Sequence, residues 1–307
     1  VAAGGAGGLL LYNPVLQGLA TDNHFIPSVH LENDAGFALL DFMNGHSGVT
    51  ATFTDGTATT VQGDKMAAFS SRGGPGQNLG ISKPDITAPG VQILAGHTPL
   101  PATVEGGLPG QLFQSIQGTS MSSPQVAGSA AVLKDLNPSW TPGQIKSAIM
   151  MTANSNHVKE DGITPADPFD MGSGRVDLAV AGNPGLTISD STTNFMALRD
   201  ELWNANYPSL YVPVMPGQIT VQRTVQSELG KTSAWRTSVD SPADVSITVP
   251  PRIQVKQYGQ ATFDITVDAR HVPQGEVRHA TLYLTHDSYS LRFPITIVRG
   301  QADVTID

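Results

Sequence analysis

The pattern of apolar and polar positions changes character twice along the chain. Over residues 1–48, Ala/Gly-rich stretches alternate with short apolar ones. "VAAGGAG" suits a closely packed helix end, "GLLLYN" a buried strand at Leu9 to Tyr12, and "IPSVHL" (26–31) a second short strand. "NDAGFALLDFMNG" (33–45) predicts a helix with Asn33 as N-cap, a turn-spaced face through Phe37 and Leu40, and Gly45 at its end.

Over residues 49–185 the helical signals lengthen. A helix is predicted from Ser122 or Ser123 to Leu136, with Pro124 in its first turn. Val126, Ala127, Ala130, Ala131 and Leu133 spread apolar positions around the cylinder, as in a helix buried on most sides. It stops at Asn137-Pro138. "TPGQ" opens the next helix, with Thr141 as N-cap, Pro142 at the first helical position and Gln144 completing a capping box; Ile145, Ala148, Ile149 and Thr152 give its core-facing stripe.

From about residue 186 the period switches from helical to alternating. "ITVQRTV" (219–225), "VSITV" (245–249), "ATFDITVDA" (261–269) and "ATLYLTHDSYSLRFPITIV" (280–298) read as strands, with His286-Asp287-Ser288 as a hairpin turn in the last. About seven strands without a helical pattern predict a small antiparallel β-sandwich. The edge between the two textures falls near Asn183-Pro184-Gly185.

Composition narrows the function. Seventeen Lys and Arg against 26 Asp and Glu give a formal charge of -9, which argues against nucleic acid or an anionic membrane as partner, since both demand a basic surface. The chain has no cysteine, so thiol catalysis, disulfides and thiolate metal sites are excluded. No stretch approaches the ~18 apolar residues of a membrane span. The chain opens on "VAAGGAGG" without an initiator Met and already inside an apolar element, so it reads as a piece of something longer.

The candidate chemistry lies in "QGTSMSSPQVAG" (117–128). Gly118 allows the backbone a close approach to a bound peptide, and Ser120 precedes a helix whose positive end, with the Ser120 N–H, points toward a developing oxyanion. The esterase elbow G-x-S-x-G does not fit, because Ser122 stands where the second Gly is required. Taken alone, such a serine is most often a helix cap. The neighbouring segments change that. GTSMSSPQVAG closely resembles the serine motif of the subtilisin-like proteases (subtilases), preceded by "AAFSSRGGPG" (67–76) and "KPDITAPGVQILAG" (83–96). It is followed by "NPSWTPGQIKSAIMMTA" (137–153) and "DMGSGRVDLAVAGNPGL" (170–186), each resembling the corresponding segment of the family in the same order.

The resemblance implies that Ser120 is the acyl-accepting nucleophile, that its N–H is one oxyanion donor, and that Thr119 is a supporting neighbour. Gln125 departs from the family's usual His, at a position that is not the catalytic base. The fold it implies is α/β: residues 49–185 as the C-terminal half of a subtilisin-like parallel-sheet domain. Residues 1–48 resemble the second half of a protease-associated domain, and 186–307 the fibronectin-III-like β-sandwich that ends such proteases, with "NANYPSLYVPV" and "QRTV" carrying that likeness. A dinucleotide-binding loop is excluded for the early glycines, because no G-x-G-x-x-G is present.

The family's Asp lies in a D-T/S-G segment and its His in an H-G-T segment. Neither is found: Asp55-Gly56-Thr57 has the wrong order and His46-Ser47-Gly48 lies in the wrong domain. His97 and His157 are poor substitutes for the base, since a lone His is usually a surface or core residue. The chain is therefore expected to be a secreted serine endopeptidase seen without its base, inactive alone, with a protein or peptide substrate and with the missing N-terminal half of the protease as partner. The alternative is a non-catalytic peptide- or protein-binding module derived from a subtilase. No cofactor is required. The acidic loop "KEDGITPADPFD" (159–170) is the one candidate for structural calcium, but it lacks D-x-D-x-D-G spacing and reads as solvated surface. Half of a parallel sheet is expected to leave an open edge and exposed apolar surface.

Overall fold

The computed structural model describes residues 1, 4–17, 24, 26–77, 80–102 and 109–300. They fall into two units, one from Val1–Ser70, Pro89–Gln125 and Val158–Pro165, the other from Ser71–Ala88, Val126–His157 and Ala166–Asp307.

In the first unit, β1 (Leu9–Tyr12) and β2 (Ser28–Leu31) pair in parallel, Leu9 opposite Ser28. Helix α1 (Asn33–Gly45) follows β2. It meets β1 through Gly36, where an added Cβ would stand 2.4 Å from the Tyr12 side chain, and Phe37 touches Tyr12 edge-on with centroids 5.6 Å apart. Four expectations are corrected here. β1 is not a buried strand, because Leu10 and Leu11 stay exposed, with one paired strand beside them among the described residues. α1 is seated by its glycine, which lets Tyr12 approach, while Phe37 is itself exposed. Asn33 is inside the helix; Glu32 holds the N-cap position and makes no side-chain cap bond. Of "VAAGGAG", residues 2 and 3 lie outside the described residues. Gly4, Gly5 and Gly7 are exposed and an added Cβ would meet nothing within 4 Å, so nothing there is closely packed.

Strands β3 (Ile93–Gly96) and β4 (Phe113–Ile116) pair antiparallel, Ile93 opposite Ile116. Lys65 and Val158 form a single parallel bridge. The parallel sheet expected over 49–185 is thus absent among the described residues. A parallel ladder needs strands supported on both faces and edges; the extended segments here meet one residue at a time, as at Lys65–Val158 and, in the second unit, Thr87–Arg175.

Helix α2 spans Thr119–Leu136 and so starts earlier than the sequence pattern suggested, placing Pro124 inside it. Proline was misleading as a marker of the first turn: here it stands a turn further in, and the helical bond it forgoes is the one to the Ser120 carbonyl. Nor is α2 buried on most sides; only Ser129 and Leu133 are. Its Ala-rich faces meet little else among the described residues, and Val132 and Leu136 remain exposed.

In the second unit, α3 (Pro142–Met151) forms with the predicted capping box: Thr141 accepts from the Gln144 N–H and its own N–H donates to the Gln144 side chain. Ile145, Ala148 and Ile149 pack with Leu133, Trp140 and Ala181. Short helices α4 (Pro168–Met171) and α5 (Leu178–Ala181) follow, capped by Asp167 and Asp177. β5 (Leu186–Thr187) enters the sandwich, followed by α6 (Thr192–Leu198) and a 3-10 segment, Arg199–Asn204.

The remaining strands are β6 (Leu210–Met215), β7 (Gln218–Ser227), β8 (Ser233–Asp240), β9 (Ser246–Thr248), β10 (Arg252–Val255), β11 (Gln260–Asp268), β12 (Val277–His286) and β13 (Tyr289–Arg299). They build a five-stranded sheet ordered β10-β8-β12-β13-β6 and a four-stranded sheet ordered β5-β7-β11-β9. The β12–β13 hairpin forms as expected, turning at Asp287, whose φ is 49°. One expectation fails: the sandwich is not wholly antiparallel, because β6 runs parallel to β13. A parallel neighbour needs a long crossover, and here the whole succession β7–β12 supplies it. Trp235, Leu282, Phe293, Ile265 and Val225 fill the space between the sheets.

Candidate active site

Ser120 and Thr119 are the first two residues of α2 and both side chains are exposed. Strand β4 delivers the chain to this point through Gln117 and Gly118. Gly118 has φ +151°, a conformation that a side chain would strain. Its N–H donates to the Gly90 carbonyl at 2.9 Å, while its own carbonyl accepts from Met121 N–H at 3.0 Å and Ser122 N–H at 3.4 Å. Gly90 is the other half of this contact. A Cβ there would lie 2.2 Å from Ser122 Oγ and 2.9 Å from the Gly118 carbonyl oxygen. Two glycines back to back therefore fix where the helix starts, and with it the direction of Ser120.

The first N–H groups of a helix have no acceptor inside it. Among the described residues, the Ser120 N–H has no backbone acceptor. It is a free donor at the positive end of a long helix, beside its own hydroxyl, an arrangement able to hold a developing negative charge. Pro124, lacking an N–H, gives nothing to the Ser120 carbonyl four residues back.

The histidines weighed as substitute bases are accounted for separately. The backbone N–H of His97 donates to the Leu112 carbonyl at 2.7 Å. His157 is buried, its backbone N–H donating to Ser155 and its carbonyl accepting from Ala166. The acids of the loop at 159–170 have partners of their own. Asp161 accepts from the Ile163 N–H (2.9 Å), the Thr164 N–H (2.8 Å) and the Thr164 hydroxyl (2.5 Å), which holds its carboxyl down at about 2. In the other unit, Asp167 caps α4 and Asp170 receives Arg72 at 2.5 Å. Among the described residues no three His, Cys, Asp or Glu side chains group to hold a metal ion.

Two polar centres of the second unit, one half-buried and one buried, escaped the sequence reading. Asp85 accepts from the Tyr207 hydroxyl (2.6 Å), Lys83 (2.6 Å) and Lys146 (3.3 Å). Burial alone would raise its carboxyl; Lys83, Tyr207 and Lys146 outweigh it and hold the carboxyl below the usual range. Burial and Asp85 together push the Tyr207 phenol well above its ordinary value. Arg223, 1% exposed, donates to the carbonyls of Tyr207, Gln222, Trp203 and Ser209. Burial lowers its guanidinium to about 10, against the pull of Asp190. The "NANYPS" and "QRTV" segments hinted at this: Asn206 bonds Ser189 and Thr224, so both motifs are the two ends of one junction.

Residues 38–174 match the model of the subtilase family and residues 204–297 that of a fibronectin type-III domain. Among curated proteins of Arabidopsis thaliana, the chain is 29% identical to subtilisin-like protease SBT5.4 over 96% of its own length and 43% of that protein's. It is 35% identical to subtilisin-like protease SBT5.3, over 82% of this chain and 37% of that one. With subtilisin-like protease SBT1.6 the identity is 31%, over 97% of this chain and 45% of that one. The chain spans less than half the length of these relatives. Residues 38–174 are thus a subtilase-family segment, followed by a fibronectin type-III domain, in a chain similar along most of its length to plant subtilisin-like proteases.

Proposed function

We propose that the chain is the C-terminal part of a secreted subtilisin-like serine endopeptidase, with Ser120 as its nucleophile. The observation that carries this reading is the exposed Ser120 hydroxyl at the start of α2, next to its own unpartnered N–H and positioned by the Gly90–Gly118 contact. In the reaction, Ser120 Oγ attacks the substrate carbonyl and a histidine takes its proton. The oxyanion collects on the Ser120 N–H, and the proton then passes to the leaving amine as the acyl-enzyme forms; water reverses the sequence to free the acid. Thr119 supports the geometry.

The histidine, the aspartate that orients it and a second oxyanion donor come from a portion N-terminal to this chain, so the chain alone is inactive. Within the whole protein, residues 1–48 are the second half of a protease-associated domain, 49–185 the C-terminal half of the catalytic domain and 186–307 the fibronectin-III-like domain. The enzyme needs no cofactor, with the acidic loop at 159–170 as its one candidate for structural calcium. Its substrates are proteins or peptides, and nucleic acid is not among its partners, as the charge of -9 indicates. The test is peptide hydrolysis by the full-length protein: Ser120→Ala should abolish it in correctly folded material, and activity surviving that change would remove Ser120 from the mechanism.

A further inference from the structure

On the outer face of the five-stranded sheet, Arg236 of β8 stands directly opposite Arg252 of β10. Directly opposed side chains on an antiparallel pair have Cβ atoms about 4.5–5.5 Å apart, and like charges so placed destabilise the pair. The row continues through Thr285, opposite Arg236, and Ser290, opposite Thr285, so no acid relieves it. The carboxylate that lines the same cleft, Asp287, is held by Lys231 at 3.0 Å and lies 3.5 Å from His286. Among the described residues, neither the Arg236 nor the Arg252 guanidinium has a hydrogen-bonding or ion-pair partner.

That is exceptional for this domain. Every other arginine described between residues 210 and 300 holds an acceptor: Arg223, Arg292 and Arg299 bind backbone carbonyls, and Arg270 and Arg278 bind carboxylates. In a chain of formal charge -9, two cations are spent facing each other. They line a cleft of about 370 Å³ shared with Ala234, Thr285, His286 and Asp287. His286 is fixed in it by its Nδ1 contact with the Ala234 carbonyl at 3.1 Å.

We propose that this cleft binds the carboxylates of an acidic peptide segment, a site separate from Ser120. Guanidinium groups present planar forks that match carboxylate geometry. The position favours a peptide, because β10 is the edge strand of its sheet. A segment laid along such an edge pairs through its main chain and turns every second side chain to the face that carries Arg252. A bound carboxylate removes the repulsion that the free pair bears.

The test is fluorescence anisotropy on the full chain with a labelled alternating Thr-Glu hexapeptide, and with the Thr-Gln peptide as its neutral counterpart. The Thr-Glu peptide should bind in a salt-sensitive manner and the Thr-Gln peptide should not. Arg236→Gln and Arg252→Gln should each weaken binding about fivefold or more, while Arg270→Gln, which removes an arginine engaged elsewhere, should leave it unchanged. Thermal midpoints of the first two variants should equal or exceed that of the parent, since a repulsion has been removed. Equal binding by all variants, or binding of the neutral peptide, overturns the proposal. A fall in midpoint on losing either arginine makes the pair structural and overturns it too. Competition by inorganic sulfate as strong as that by the peptide reduces the cleft to an adventitious ion site.

Discussion

Gly118 donates its N–H to the carbonyl of Gly90 at 2.9 Å, and this bond fixes the backbone that presents Ser120. Gly90 has room for no side chain, since its Cβ would fall 2.2 Å from Ser122 Oγ and 2.9 Å from the Gly118 carbonyl oxygen. Gly90→Ala is therefore expected to displace the first turn of α2 and to cost about 1–3 kcal/mol. Chemical denaturation measures the cost. An unchanged midpoint would show that the contact does not constrain the turn.

Glu228 joins the sandwich to the α3 region within the second unit. It accepts from Trp140 Nε1 at 3.0 Å, Gln144 Nε2 at 3.1 Å and the Thr187 hydroxyl at 2.6 Å. Glu228→Ala leaves three donors without their acceptor, one of them on a tryptophan 4% exposed. A loss of about 2–3 kcal/mol is expected, together with a change in tryptophan emission in the native state. Identical emission and stability would contradict this role.

The Asp85 cluster gives a pH dependence with a definite sign. Against the opposing effect of burial, Lys83, the Tyr207 hydroxyl and Lys146 hold the folded carboxyl below the usual carboxylate range. A depressed pKa contributes stability that is present above the unfolded value and is lost as pH falls through the folded one. Asp85→Asn should destabilise the protein at neutral pH, and its deficit against the parent should narrow as pH drops below about 4. Denaturation curves at a series of acid pH values test this; a deficit independent of pH would refute it.

Arg223 is the residue whose conservative replacement should fail most clearly. Its guanidinium reaches the carbonyls of Tyr207, Gln222, Trp203 and Ser209 and lies over the Phe293 ring, 5.6 Å from its centroid. Lysine keeps the charge but has a single nitrogen, so it leaves buried carbonyls unsatisfied. Arg223→Lys is expected to cost about 2–4 kcal/mol, read from the urea midpoint. Full stability in the lysine variant would mean that charge alone suffices.

Features set by neighbouring residues were legible in the sequence. The Thr141–Gln144 capping box and the β12–β13 hairpin follow from a few adjacent positions and formed as predicted. The serine motif was equally local, and it led to the helix that begins at Thr119, though the Pro124 marker put the start too late. What the pattern missed depends on residues distant in the chain. Glu228 is called upon by Trp140 and Gln144, and Asp85 by Tyr207, across separations that no periodicity reports. The parallel pairing of β6 with β13 is likewise a property of topology. Leu10 and Leu11 show the same limit from the other side: apolar letters predict burial, but burial needs a covering element, and among the described residues β2 is the one strand paired with β1.

On the proposed reading, Ser120 is a nucleophile whose base lies outside this chain. Labelling by a fluorophosphonate probe, with the modified peptide mapped by mass spectrometry, tests it most directly when the chain alone is compared with the full-length protein. A label on Ser120 is expected in the full-length protein, abolished by Ser120→Ala, and none on the folded chain alone. A label on another residue of the full-length protein, or an equal label on Ser120 in the isolated chain, would contradict it.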